Sequence, residues 1–338
     1  MKISVLCFDL SSNAFGRAWL LAKALSRVYD VEIIGTSRKG GIWAPMAHSK
    51  IPVKEFMWDR YPKFSRVKKN ILDAIDGDLI LASKLMPTSF GIGLQKKYSS
   101  GKPLIVDIDD WELGFFYHSG FWGGVGRFLN FSNPNGLPYV WRIERLVGEA
   151  DAVSVSNRFL QKKFKGALLP HCRDTSVLDP QKFNPDEIKE RIGLAGKKVV
   201  MFLGTPRPHK GLDDLLAAFK KIGDLNVKLV IIGAENQQEF LKRVDHSIRE
   251  SVVVLPKTPF QKLPELLSAA DILAIPQRRT SDSVGQIPAR LFDAMSMAKP
   301  IIATRVSDIP EVLDNCGYLV DPNKPSQLAD AIKYLLNH

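Results

Sequence analysis

Arg207 and Lys210 lie in the run Gly204-Thr205-Pro206-Arg207-Pro208-His209-Lys210-Gly211, between two contrasting patterns. Ahead of it, Val199-Val200-Met201-Phe202-Leu203 reads as a buried strand. Behind it, Leu212, Leu215, Leu216 and Phe219 recur at helical spacing. A strand–loop–helix junction puts such a loop at the carboxyl edge of a parallel sheet, where ligands bind. The helix start offers free N–H groups and the positive end of a dipole, and the two side chains add full charges. The combination suits a diphosphate. Cations aimed at a departing diphosphate would stabilise the charge that builds on it in a transition state. Two solvated loop cations would give the same sequence.

A second constellation runs Ser281-Asp282-Ser283-Val284-Gly285-Gln286-Ile287-Pro288 and continues Ala289-Arg290-Leu291-Phe292-Asp293-Ala294-Met295. Here a loop of small residues enters a helix with proline near its start. Such a loop can bring backbone N–H groups close to phosphate. Asp293 falls one to two turns into the helix, where it could accept two ribose hydroxyls or merely favour the helix dipole.

The first half offers two further sites. In Asp9-Leu10-Ser11-Ser12-Asn13-Ala14-Phe15-Gly16-Arg17, Gly16 would allow close approach of a ligand and Arg17 could meet phosphate, or could stand solvated in an ordinary turn. Asp107-Ile108-Asp109-Asp110-Trp111-Glu112 ends another apolar run. Its carboxylates could bind acceptor hydroxyls, with Asp110 as a base, or one of them could cap a helix. Asp107 and Asp109 could also hold a divalent cation through oxygen ligands.

Positioning these residues requires a parallel sheet in each half. Short β-rich runs alternate with helical patterns, the mark of βαβ units. We expect strands over 3–8, 31–34, 79–82, 104–106 and 152–155, then 199–203, 229–232, 252–255, 272–275 and 300–303. Helices are expected over 15–25, 65–75 and 140–147, then 212–222, 237–244, 263–269, 289–297 and 327–336. Between Pro170 and Lys197 the chain is punctuated by Asp174, Asp179, Pro180, Asn184 and Pro185 in the manner of a linker. The expected fold class is therefore α/β, with two doubly wound Rossmann-like domains, 1–172 and 173–338, facing across a cleft. There is no repeat of solenoid length and no low-complexity tract.

Bulk composition narrows the partners. The 338 residues carry a net charge of +11, split as +9 over 1–172 and +2 over the remainder. A basic first half calls for an anionic partner, a membrane surface or a nucleic acid. The stretch 54–69 interleaves Phe56, Trp58, Tyr61 and Phe64 with cations, and Phe115, Phe116, Tyr117, Phe121, Trp122 and Phe128 crowd a later glycine-rich stretch. Both suit a peripheral contact with anionic lipid; core aromatics beneath a solvated basic face would look the same. No RNA-binding module signature is present, so no nucleic-acid partner is expected. Cys7, Cys172 and Cys316 are scattered without metal-ligand spacing, as for reduced thiols in a cytoplasmic protein. Residues 1–6 read as a strand and not as a signal peptide, and no apolar run is long enough to span a bilayer. No GxGxxG follows a strand, which argues against a dehydrogenase.

Taken together, these motifs resemble the group 1 glycosyltransferases of the GT-B fold. The run 290–304 is similar to their LxEAMAxGKPVVAT signature, 204–211 to their GRLxxxKG loop, 268–276 to a strand they share, and 150–157 to a strand of their first domain. The resemblance implies retaining, metal-independent transfer from a nucleotide diphosphate sugar, with no cofactor. Lys210 would bind the donor phosphates and Asp293 the ribose, while Ser283, Gly285 and Gln286 would present N–H groups to the leaving group. In that family Gly204 and Thr205 belong to the donor loop, whereas Gly16, Arg17 and Asp109 belong to the first domain's side of the cleft.

This chain departs from the pattern at several points. The family's first arginine falls at Thr205, leaving Arg207 to substitute. Its first acid falls at Gly285, with Asp282 nearest, and its second acid is Asp293. Its glycine before Lys-Pro is Ala298. The family's last helix crosses back to the first domain, and this chain ends at His338 after the penultimate one. The Asp107-x-Asp109 pair also resembles the metal-binding DxD of the other main glycosyltransferase fold, GT-A. The expectation is a peripheral enzyme at the cytoplasmic membrane face with a lipid-linked or other anionic acceptor. A nucleotide-sugar epimerase or phosphorylase of the same fold, and an inactive sugar-nucleotide binding module, are the alternatives.

Overall fold

The computed structural model describes residues 1–44, 50–116 and 126–338, Asp282 by its backbone alone. Tyr117, His118, Gly120, Phe121, Trp122, Gly123 and Gly124 lie outside the described residues. The chain divides into two compact units, Met1–Pro170 and His171–His338.

In the first unit β1 (Lys2–Cys7), β2 (Asp30–Ser37), β3 (Val53–Met57), β4 (Leu79–Ser83), β5 (Leu104–Ile108), β6 (Ala152–Val155) and β7 (Ala167–Leu168) form a parallel sheet in the order β3-β2-β1-β4-β5-β6-β7. The second unit builds β8 (Lys198–Leu203), β9 (Val227–Ile232), β10 (Val252–Leu255), β11 (Ile272–Ile275), β12 (Ile301–Thr304) and β13 (Tyr318–Val320) into the order β10-β9-β8-β11-β12-β13. Both are doubly wound α/β arrangements. Strand order reverses at β1/β4 in one and at β8/β11 in the other, and such switch points open crevices beyond the strand ends.

Successive residues of a strand face opposite sides of its sheet. Val200 and Phe202 pack against helices Leu212–Ile222 and Pro325–Asn337 on one face. Val199 and Met201 pack against Leu263–Ser268 and Ala289–Ser296 on the other. The first unit repeats the scheme, Leu6 with Phe64 and Ile71 on one side and Val5 with Phe15 and Ala18 on the other. Burial of both faces is why the central strands read as unbroken apolar runs.

The expected strands and helices all form, displaced by at most about three residues at their ends. Additional elements have weak signals. Strand β3 is an edge strand containing Lys54 and Glu55, β7 and β13 are two and three residues long, and helix Ile92–Ser100 has no clear apolar stripe. The punctuated stretch 170–197 folds in part with the second unit. Helix Pro185–Arg191 buries Ile188 there, and Lys189 donates to both carboxylate oxygens of Asp271 at 2.9 and 2.8 Å. Among the described residues no helix is long and apolar enough to cross a membrane.

Candidate functional site

Strand β8 delivers the chain to Gly204, whose φ of +115° is a conformation that side-chain-bearing residues rarely adopt. Pro208–Lys210 makes one tight turn, and Gly211 follows at φ +69°. A Cβ on Gly211 would lie 1.7 Å from the Pro276 carbonyl oxygen beyond β11, so the loop after β8 closes on the loop after β11 only if this residue is glycine. The buried His209 ties the same two loops, its carbonyl accepting from the Arg278 N–H at 2.8 Å.

This turn brings Lys210 back over the strand end, with Nζ 3.1 Å from the Cβ position of Gly204. The Lys210 backbone N–H donates to the Arg207 carbonyl at 2.9 Å, whereas among the described residues its ammonium makes no hydrogen bond or ion pair. Burial, reinforced by the positive charges of Arg290 and Arg207, pulls its pKa down to about 7. An ammonium held in this way lacks an anion. Arg207 itself is exposed.

Arg290 was not singled out by sequence. It lies on the sheet-facing side of helix Ala289–Ser296 beside Leu291 and Ala294 and is only 6% exposed. Its Nη1 donates to the Leu203 carbonyl at 3.0 Å, and the guanidinium lies 4.8 Å from the Phe202 ring centroid. Nε and Nη2 are buried without a hydrogen-bond partner. Burial lowers its pKa to about 10. A cation on the buried stripe of an amphipathic helix was the signal that could have found it.

The loop after β11 differs from its sequence-based reading. Residues Ser281–Val284 form a helical turn rather than an open loop. Ser283 is fully buried and committed to that turn. Its hydroxyl accepts from Thr280 N at 2.8 Å and donates to the Arg278 carbonyl at 2.6 Å. The N–H groups of Gly285 and Gln286 both point back to the Ser283 carbonyl. The expected ring of outward N–H donors at Ser283, Gly285 and Gln286 is therefore not formed, because the chain satisfies these groups locally first.

Asp293 is buried at 5% exposure, and its Oδ1 accepts from Arg173 Nε. Arg173 is itself fixed by donation to the Cys172 and Ala289 carbonyls at 2.9 and 3.1 Å. Burial raises the Asp293 pKa, and Arg173 opposes the rise. The dipole-only reading of Asp293 omitted this partner. Thr205 and Pro206 line one side of a groove completed by Ala234, Glu235, Asn236, Glu239, Phe240 and Arg243.

In the first unit Arg17 neither stands solvated nor is open to phosphate. At 4% exposure its Nε and Nη2 grip both oxygens of Asp107 at 2.8 Å. Its remaining donors reach the Pro170 and Leu169 carbonyls at 3.1 and 2.8 Å. Ser154 donates to Asp107 at 2.7 Å. Asp107 is thus the counter-charge of a buried arginine, and the Asp107-x-Asp109 metal pair is not assembled. Gly16 lies in helix Ala14–Leu25 and faces Trp43, where a Cβ would meet the ring at 3.3 Å; it faces a core aromatic and not a ligand channel.

Asp109, Asp110 and Glu112 do converge, their ligand atoms within 4.8 Å of one another. Lys84, unmentioned by sequence, sits among them, 2.7 Å from Asp109 and 3.2 Å from Glu112 and also paired with Asp110. Burial works against the Lys84 charge, but the three carboxylates outweigh it and hold its pKa well above normal. Burial pushes Glu112 up to about 7. The ammonium occupies the place a cation would take.

Residues 197–338 match the model of the family described as Glycosyl transferases group 1. That stretch is similar to the group 1 glycosyltransferases. The chain is 28% identical to a GDP-mannose-dependent α-(1-6)-phosphatidylinositol monomannoside mannosyltransferase of Mycolicibacterium smegmatis over 210 residues, 57% of this chain and 55% of that protein. It is 27% identical to a D-inositol 3-phosphate glycosyltransferase of Segniliparus rotundus over 222 residues, 57% of this chain and 47% of that one. The chain thus spans about half the length of the curated relatives it matches. Its fold resembles Anabaena Alr3699/HepE, solved in complex with UDP, with a TM-score of 0.75 at 16% identity, covering 100% of this chain and 90% of that one. The two doubly wound units are those of the GT-B glycosyltransferases. Lys210 and Asp293 lie within the matched residues, whereas Lys84 and its acids lie outside them.

Proposed function

We propose that this chain transfers a sugar, with retention and without a metal ion, from a nucleotide diphosphate sugar to an acceptor at an anionic membrane surface. The observation that carries the reading is Lys210, an ammonium held over the end of β8 at a switch point with no anionic partner among the described residues. A diphosphate supplies the missing charge. In the transfer the bond between the sugar and the phosphate oxygen breaks, and negative charge builds on the departing diphosphate. A cation already aimed there stabilises the transition state more than the ground state. Asp293, with Arg173 beside it, takes the ribose hydroxyls, and the groove at Thr205 and Pro206 lies next to the phosphates. The donor then binds the second unit, His171–His338.

The first unit, Met1–Pro170, is the acceptor side. Asp109, Asp110 and Glu112, organised by Lys84, offer carboxylate oxygens to acceptor hydroxyls, with Asp110 the candidate base. Exposed Phe128, Leu129, Phe131 and Trp141 beside Arg127, Arg142 and Arg145 favour a lipid-linked acceptor. The phosphatidylinositol monomannoside mannosyltransferases among the relatives favour it too.

The experiment is turnover and nucleoside-diphosphate binding with Lys210→Ala. Removing one preorganised cation from a leaving group typically costs about 10²–10³ in rate. The variant should fall by that factor on an active donor–acceptor pair, with no loss of melting temperature. Near-wild-type turnover would place the donor elsewhere. A second reading, a sugar-nucleotide binding module without turnover, is favoured by Gly285, which stands where the resemblance calls for an acid. It predicts that wild-type protein binds the nucleotide sugar but consumes it neither by transfer nor by epimerisation.

A further inference from the structure

The side edge of an arginine, Nε with Nη2, is a two-pronged donor matched to a pair of carboxylate or phosphate oxygens. Two other arginines of this chain use that edge on an acid. Arg17 presents it to Asp107 with both contacts at 2.8 Å, and Arg278 presents it to Asp214, also at 2.8 Å. Arg290 is buried to the same degree as Arg17, yet its Nε and Nη2 are the two atoms left without a partner. No acidic side chain pairs with it among the described residues. Leaving a buried charged donor unpaired is expensive, and native structures keep such a group where a ligand completes it.

The location of Arg290 says which ligand. Its Nη1 is anchored on the Leu203 carbonyl, the last residue of β8, and Lys210 Nζ sits over the next residue, Gly204. Two cationic side-chain ends without an anionic partner thus converge on one peptide at the switch point, and the charge of Arg290 adds to burial in lowering the Lys210 pKa. The bond to the Leu203 carbonyl and the Phe202 ring 4.8 Å away hold the guanidinium in place, so little freedom is lost when an anion arrives. Arg207, by contrast, is exposed and unanchored.

We infer that Arg290 is a second cation of the donor-phosphate site, its Nε–Nη2 edge gripping phosphate oxygens of the diphosphate, and that Arg290 rather than Arg207 stands in for the arginine missing at Thr205. This rests on the donor site proposed above and adds to it a binding residue from the helix after the second loop.

The test uses the full chain with uridine and guanosine diphosphates, their monophosphates and the free nucleosides, measured by calorimetry alongside melting temperature. Arg290→Met keeps the apolar contact with Phe202 and removes the unpaired charge. It should melt no lower than wild type while binding the preferred diphosphate at least about tenfold more weakly, and binding the nucleoside unchanged. Arg290→Lys retains charge without the fork and should also bind the diphosphate more weakly than wild type. Arg207→Ala should cost less than either. A merely structural arginine would show a lowered melting temperature in Arg290→Met and unchanged diphosphate affinity in Arg290→Lys, which overturns the inference. If Arg290→Met does not fold, Arg290→Lys decides alone by the same affinity criterion. Should wild-type protein bind no nucleoside diphosphate, the donor reading itself fails, and this inference with it. If wild type binds and both Arg290 variants bind equally well, only the inference falls.

Discussion

Lys210 is a lysine whose surroundings favour its neutral form. In the ligand-free fold its pKa is about 7, against the ordinary 10.5 expected when unfolded. Between those values the unfolded chain holds more protons than the folded one, so this residue makes stability rise with pH across that window. Lys210→Met should therefore melt above wild type at pH 6, with the margin closing as pH approaches 10; a margin independent of pH would mean that Lys210 is well solvated. A bound diphosphate reverses the preference and draws a proton onto Lys210. At pH 8, calorimetry in buffers of different ionisation enthalpy should show proton uptake on nucleoside-diphosphate binding by wild type and none by Lys210→Met. Glu112 titrates in the opposite sense. Its folded pKa is raised from 4.5 to about 7, so the folded state holds the extra proton and stability declines as pH climbs through that interval. Replacing it with Gln should remove this slope, and denaturant titrations at pH 5 and 7.5 would detect it.

At the scale of elements, the end of helix Ala289–Ser296 shows how a local rule was broken. Lys299 N–H reaches the Ala294 carbonyl and Ala298 N–H reaches Met295, both at 3.0 Å, the Schellman pattern that wants a left-handed residue just past the helix. That residue is Ala298, at φ +49°. The left-handed conformation costs a residue with a Cβ about 1–2 kcal/mol, offset in part by the greater freedom of glycine when unfolded. Ala298→Gly should stabilise the protein by about 0.5–1 kcal/mol in thermal melts, without altering nucleotide affinity. Loss of stability would show that packing of the exposed methyl outweighs the strain. The loop after β11 obeys another local rule. Thr280 and Ser283 cap each other across a helical turn, which is why its N–H groups turn inward.

Over the whole molecule, the charge asymmetry of +9 against +2 coincides with a difference in exposed apolar side chains. In the basic stretch 54–69 the aromatic Phe64 is core, while Lys63, Arg66 and Lys69 face solvent, so the core-aromatic reading holds there. Among the described residues, Phe128, Phe131 and Trp141 form a further group of exposed aromatics in the first unit, with Arg145 stacked 3.3 Å from the Trp141 ring centroid. Each basic residue near an anionic bilayer contributes on the order of 1 kcal/mol, fading within a Debye length. Co-sedimentation with anionic vesicles should be strong at low salt, weaker at high salt, and reduced by joint replacement of Phe128 and Phe131 with Ser. Equal binding to neutral vesicles would remove the electrostatic part of this picture.

The sequence by itself determined the two sheets, the junction at 204–211 and the polar loops around it. Apolar period and glycine punctuation are local signals, and burial of both sheet faces makes them loud. Lys210 was legible for the same reason, since it lies in the loop between a strand and its helix. Only the tertiary structure decided which charges pair. Arg17 finds Asp107 across 90 positions and Arg173 finds Asp293 across 120, while Lys84 gathers three acids from 25 to 28 residues away. Pairing at such separations depends on strand order, which no local pattern encodes. By the same route Arg290, on a helix that reads as ordinary, comes to rest under the end of β8 with two donors still open.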